Sequence, residues 1–228
     1  MRWAAAGVGF AAGTYAAVAA TAWFRYGRVS DRAPGEDADP LLDHFMPDYE
    51  IVERHHVRVS APADVVMAAA CEMFLERSPI IRALFKGRAL VMGSRSSSGP
   101  DARPFLVQME ALGWGRLAEI PGREVVMGAV TQPWKADVVF RPVPPDTFAA
   151  FDEPEYVKIA WTLRADPAGA DRSIFRTETR AVATDSTARA RFRRYWSLAS
   201  PGIALIRRMS LGPLKADAER RFRQSRSA

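Results

Sequence analysis

Two adjacent histidines are the residues best suited to proton chemistry in this chain. His55 and His56 lie in the run Ile51-Val-Glu-Arg-His-His-Val-Arg-Val59. An imidazole titrates near neutrality and can both take and give a proton. His55 is therefore the candidate acid/base group, with Glu53 or Glu119 as the carboxylate that would orient it. The run alternates as a strand does, and on a strand neighbouring side chains point to opposite faces. His55 then shares a face with Ile51, Val57 and Val59, and the two histidines cannot chelate one metal ion together. No Cys/His cluster elsewhere has zinc spacing, so neither a metal nor a cofactor is expected. Cys71, the one cysteine, excludes an internal disulfide and falls in an apolar helical stripe, where it reads as a small buried hydrophobe. No nucleophile elbow, phosphate loop, Ser-His-Asp order or paired-carboxylate motif is present. Gly7-Val-Gly9-Phe-Ala-Ala-Gly13 imitates a dinucleotide fingerprint, but no strand has room to precede it.

The elements that must position His55 follow from periodicity. After the strand 51–59, Pro62 opens a helix with the stripe Val66, Met67, Ala70, Cys71, Phe74 and Leu75, which ends before Pro79. A short helix is expected at Ile80 to Gly87, and a polar loop at Ser94 to Arg103. Strands are then expected at 105–110, 113–119, 124–131, 156–164 and 173–183, broken at Pro121-Gly122, at Pro142 to Asp146 and at Asp166 to Ala170. This is an antiparallel meander. Val157, Ile159, Trp161 and Leu163 share a face, as do Phe175, Thr177, Thr179 and Ala181. Lys158, Arg164, Arg176, Glu178 and Arg180 face away, so one face reads as core and the other as wet. The last element is an amphipathic helix, Ser186 to Leu211. Phe192, Tyr195, Trp196, Ala199, Ile203 and Ile206 form its apolar stripe, with a bend expected at Pro201-Gly202. Arg189, Arg193, Arg207 and Arg208 form an arc beside that stripe, which reads either as a solvated face or as a membrane-surface contact.

The N-terminus has another character. Trp3 to Phe24 is uncharged and mostly apolar, about 33 Å long as helix against a hydrocarbon core of about 30 Å. We expect residues 1–27 to be a transmembrane anchor. Arg25, Arg28 and Arg32 after the run would hold the body on the cytoplasmic side of the cell membrane. Ala20-Thr21-Ala22 resembles a signal-peptidase site, so export after cleavage is the competing expectation. Gly9 and Gly13 form a G-x-x-x-G face for weak homodimerisation. Residues 28–48, rich in Pro and acid, read as a linker whose Leu41, Leu42, Phe45 and Met46 make a loosely packed turn or, alternatively, dock on the domain or the membrane surface. One domain is expected over 49–221, followed by a basic tail, 222–228. The chain carries 28 Arg but 4 Lys and a net charge of +6. That surplus sits in the C-terminal helix and tail, and a basic face alone does not make a nucleic-acid reader.

One strand, two short helices, a meander and a long final helix is the order of the helix-grip fold, an α+β architecture. Over about Glu50 to Arg221 the sequence resembles the SRPBCC superfamily, which includes START lipid-transfer domains, birch-pollen-allergen-like proteins and polyketide cyclase/dehydrase-like proteins. The resemblance is carried by Glu53–Pro62, Gly113–Glu124, Gly128–Trp134, Val157–Arg164 and Thr177–Asp185. It implies a sheet gripping the last helix around a cavity for a hydrophobic or amphipathic small molecule: a lipid, quinone or polyketide-like ligand. By strand phase the wall would include Trp161, Phe175, Thr177, Thr179 and Trp196, joined by Trp114 and Trp134; the bland reading is that these aromatics fill the core. Three functions fit: a membrane-tethered ligand binder, an enzyme of cyclase/dehydratase type using His55, or a non-catalytic, membrane-bound interaction module with a collapsed cavity.

Overall fold

A computed structural model of the protein describes residues 2–28, 38–73 and 103–227, with the backbone alone described for 2–12. The expected helix at 80–87, the loop at 94–102, and Phe74 and Leu75 lie outside the described residues. In chain order the elements are α1 (Arg2–Arg25), α2 (Pro40–Phe45), β1 (Ile51–Val59), α3 (Ala63–Cys71), α4 (Phe105–Ala111), β2 (Gly115–Ile120), β3 (Glu124–Thr131), β4 (Phe140–Arg141), α5 (Pro145–Phe148), β5 (Val157–Pro167), β6 (Ser173–Ala183) and α6 (Ser186–Ser225). The strands form one six-stranded antiparallel sheet in the order β1-β6-β5-β3-β2, with β4 added to β3.

Strand period decides which residues face α3 and α6. Val125, Met127, Trp161, Leu163 and Phe175 project to that side and pack with Val66, Met67 and Ala70 of α3 and Leu214 and Ala218 of α6. Phe105 and Leu106 join the same core. The segment 105–110, expected as a strand, is helical: Pro104 precedes it, and Phe105, Leu106 and Met109 have the i, i+1, i+4 spacing of a helix face. Asp185 caps the start of α6, its carboxylate accepting from Ala188 N at 2.7 Å. From there the helix runs through Pro201 and Pro213 to Ser225. It continues past the expected end at Leu211, and Phe222, placed in the basic tail by sequence, packs against the core.

The face expected to be wet is covered. Leu42, Phe45 and Met46 of the supposed linker pack with Val126, Val130, Phe148 and Ala160, so 40–46 is a folded part of the domain. Asp39 caps α2 by accepting from Leu42 N at 2.8 Å. The charged side chains beneath are buried and paired. Glu178 accepts from Arg54 at 2.9 and 3.1 Å and from Arg180 at 2.7 Å. Arg180, 2 % exposed, also donates to Asp43 Oδ1 at 2.5 Å and to Met46 O at 2.7 Å. Arg164 and Arg176 share Asp166, while Lys158 donates to Ala149 O at 2.6 Å. Excess charge on one sheet face thus marks the underside of a second layer, where burial forces each charge to find a partner.

Among the described residues no helix is long and apolar enough to cross a membrane. The run expected to be a transmembrane anchor forms a helix whose C-terminal half docks on α6. Arg193 donates to Trp23 O at 3.1 Å and stands over the Trp23 ring, 4.2 Å from its centroid. Tyr26 donates to Glu50 Oε2 at 2.8 Å, Gly27 N to Glu50 O at 3.1 Å, and Tyr15 to Leu198 O. Gly13 faces open space, with nothing within 4 Å of a Cβ built on it, and Gly9 belongs to the part of α1 described by backbone alone.

Candidate functional site

A half-open groove of about 330 Å³ runs between the C-terminal half of α1, the first residues of β1 and the middle of α6. Its apolar surface comes from Val18, Ala22, Ile51, Trp196, Pro201 and Ala204. Trp196 and Phe192 are fixed by packing against Ile51, Val157 and Ala181. Two polar groups matter inside. Ser200 is 6 % exposed, and its Oγ has no hydrogen-bond partner among the described residues. Glu53 closes the floor. A buried hydroxyl without a partner is uncommon, because desolvation of a polar atom is not offset unless something bonds to it.

Behind Glu53 lies a polar cluster set by strand register. Glu53 stands across from Thr179, and His55 across from Thr177. Both threonines are joined to Arg207, which donates from Nη1 to Thr177 Oγ1 at 3.2 Å and from Nη2 to Thr179 Oγ1. His55 Nε2 lies 3.5 Å from Glu53 Oε2, and this buried nitrogen makes no hydrogen bond to any described residue. Burial pushes the His55 imidazole down from its ordinary value, and the charges of Arg207 and Arg208 push the same way. It is therefore held neutral at neutral pH. Glu53 moves up, because burial outweighs the opposing pull of Arg207. Arg207 itself is lowered by burial to about 10, against the pull of Glu53, and keeps its charge.

The expected site residues thus separate. Trp196 lines the groove, and Thr177 and Thr179 belong to the cluster behind it. Trp161, Phe175 and Trp114 pack in the core at the other end of α6: Trp161 lies 5.6 Å from Phe105 and 5.8 Å from Trp114, which stacks on Phe140. Trp134 is half-buried beneath Arg191. Of the two carboxylates expected beside His55, Glu53 is there and Glu119 is not, being paired with Arg116 at the exposed edge strand. Burial raises the Cys71 thiol, consistent with an inert residue. The arginine arc is divided too. Arg189 pairs with Glu50, Arg193 holds α1, Arg208 is exposed, and Arg207, expected at the membrane surface, points into the protein.

No family model matches the chain, and no curated protein does. Solved structures similar to it include a START superfamily protein from Mycobacterium smegmatis, 13 % identical, covering 76 % of this chain and 97 % of that one with a TM-score of 0.27. Another is the Zhui aromatase/cyclase from Streptomyces sp. R1128, 14 % identical over 75 % and 94 %, TM-score 0.27. A third is norcoclaurine synthase from Thalictrum flavum, 12 % identical over 72 % and 87 %, TM-score 0.24. The assignment of fold stands on the element order, the sheet order and the long helix laid over one sheet face, which together fit an α+β helix-grip fold.

Proposed function

We propose that this protein binds an amphipathic small molecule in the groove between α1, β1 and α6. The observation that carries this reading is an apolar-walled space of about 330 Å³ whose lining includes Ser200, a residue with a buried hydroxyl that has no partner among the described residues. Ligand sites are concave and mostly apolar, with a few placed polar groups. α1 supplies one wall here, which supports a docked role for it in place of a bilayer anchor.

The test is titration of the full chain with decanol and decanoate, followed by tryptophan fluorescence, since Trp196 lies in the wall. Saturable binding that disappears in Ala204→Trp, with the melting temperature retained, supports the reading. Binding that survives Ala204→Trp, or none at all, overturns it.

A second reading, proton transfer by His55 on a bound ligand, is favoured by one geometry: a neutral, unbonded Nε2 beside Glu53. Replacing His55 with Gln should leave ligand binding intact and abolish any turnover. Equal turnover in both chains would remove His55 as the base.

A further inference from the structure

Arg207 is a half-buried cation whose guanidinium points into the protein and, among the described residues, lacks a counter-ion. A guanidinium carries five N–H donors in a planar fork, and the two threonine hydroxyls occupy only part of that fork. Among the described residues no carboxylate forms an ion pair with it, and Glu53 is the one acid whose charge acts on it. Ordinary practice elsewhere in the chain is different. Arg54, Arg164 and Arg180, each on the opposite sheet face, all have carboxylates at 2.7 to 2.9 Å. Removing a charge from water without a partner is costly, and a lone buried charge persists where a ligand or another group completes it.

The position of Arg207 connects it to the groove. Glu53 is the groove floor, and the residue opposite Glu53 on β6, Thr179, is bonded to Arg207. Arg207 is not itself part of the groove lining; Ala204, which is, precedes it by about one turn of α6, and a ligand head would reach the guanidinium past Glu53. Ser200, also in the groove lining, stands two turns earlier on α6.

We propose that the ligand is a monocarboxylate with an apolar body, its carboxylate pairing with the Arg207 fork and its body lying along Ala204, Trp196 and Ile51. Carboxylate and guanidinium match in geometry, two parallel N–H to O bonds. Glu53 sets the selectivity. Its charge repels an incoming carboxylate, and the affinity for a proton that burial raises weakens that repulsion without abolishing it. This inference rests on the groove as the binding site, and the experiment separates the two.

Decanoate, decanol and decylamine are titrated into the full chain, read by tryptophan fluorescence and by calorimetry. Decanoate is expected to bind about tenfold more tightly than decanol, a step of the size one charge-assisted pair supplies. In Arg207→Gln that preference is lost. In Glu53→Gln, which leaves the arginine in place and removes the like charge, decanoate binds more tightly than in the parent while decanol is unchanged. Equal affinity for decanoate and decanol in the parent chain overturns the carboxylate reading and leaves the groove reading standing. Failure of all three probes to bind overturns both. Should Arg207→Gln fail to fold, the Glu53→Gln comparison decides alone: no gain for decanoate refutes the proposal.

Discussion

Glu124 opens β3 with 4 % exposure and an Oε1 that finds no hydrogen-bond partner. Its neighbour is Asp39, the buried cap of α2. Burial first, and the Asp39 carboxylate second, raise Glu124 to about 8. In an unfolded chain a glutamate titrates near ~4.3. Between those two values the folded protein holds a proton that the unfolded chain has released. Stability is therefore greatest below the lower value and falls as pH climbs toward the upper one, by about 1.4 kcal/mol per pH unit. From about pH 5.5 to about pH 7.5 the loss amounts to about 3 kcal/mol. Glu124→Gln keeps the size of the side chain and cannot ionise, so its stability should lack this component. The measurement is urea unfolding followed by tryptophan fluorescence at three pH values across that window, for both chains. The gap between variant and parent should widen in favour of the variant as pH rises, with the urea dependence unchanged. A parent whose stability is flat across the window, or a variant with the same slope, refutes the account of a protonated Glu124 held against Asp39.

Three further perturbations test the packing that surrounds the site. Arg180→Ala removes bonds to Glu178, Asp43 and Met46 O from a residue 2 % exposed. Breaking a buried pair in this way should cost about 3–5 kcal/mol, and denaturant unfolding would show it; a loss within error means that Arg54 alone satisfies Glu178. Gly128→Ala places a Cβ 2.5 Å from Leu117 Cδ1 and 2.7 Å from Phe148 Cε2. Overpacking should lower stability by about 1–3 kcal/mol, and an unchanged melting temperature would mean that the β2 edge yields freely. Arg193→Ala removes both the bond to Trp23 O and the contact with its ring. Proteolysis within α1 should accelerate while the sheet's melting temperature holds, and loss of both together would make α1 part of the folding unit.

What could be read in advance was the period of each element, and what could not was the layer it meets. The strands 124–131 and 173–183 appear with the expected bounds, because turn residues mark their starts, Pro121-Gly122 before the first and Asp166 to Ala170 before the second. The outer face was misread for a physical reason. Arg54, Arg164, Arg176, Glu178 and Arg180 look solvated one by one, and only the docking of α2 turns them into an internal network. The signal was present elsewhere, in Leu41, Leu42, Phe45 and Met46, whose helical spacing inside an acidic, proline-rich stretch has no use unless it finds a surface. Phe105 to Glu110 shows the converse error. Phe105, Val107 and Met109 alternate, so a strand could be read there, yet Pro104 and the Phe105, Leu106, Met109 spacing describe the helix that forms.

Arg207 is the instructive case for the site. Grouping it with Arg189, Arg193 and Arg208 by charge placed it on a surface arc. Its angular position argues otherwise: eleven residues separate it from Trp196, three turns and about 20° at 100° per residue. It therefore lies almost in line with the tryptophan that packs on the sheet, and closer to the direction of Trp196 than Ile206 does. Arg208, one residue on, is turned about 100° further and is exposed. A charge in phase with an apolar stripe must either reach out along its stem to water or find partners inside. Which of the two occurs depends on what the opposing strand offers, and here β6 presents Thr177 and Thr179, the two inward hydroxyls that alternation had already identified. The helix phase and the strand phase, taken together, bring Arg207 to those threonines, and the register of β1 then adds His55 and Glu53 from the other side.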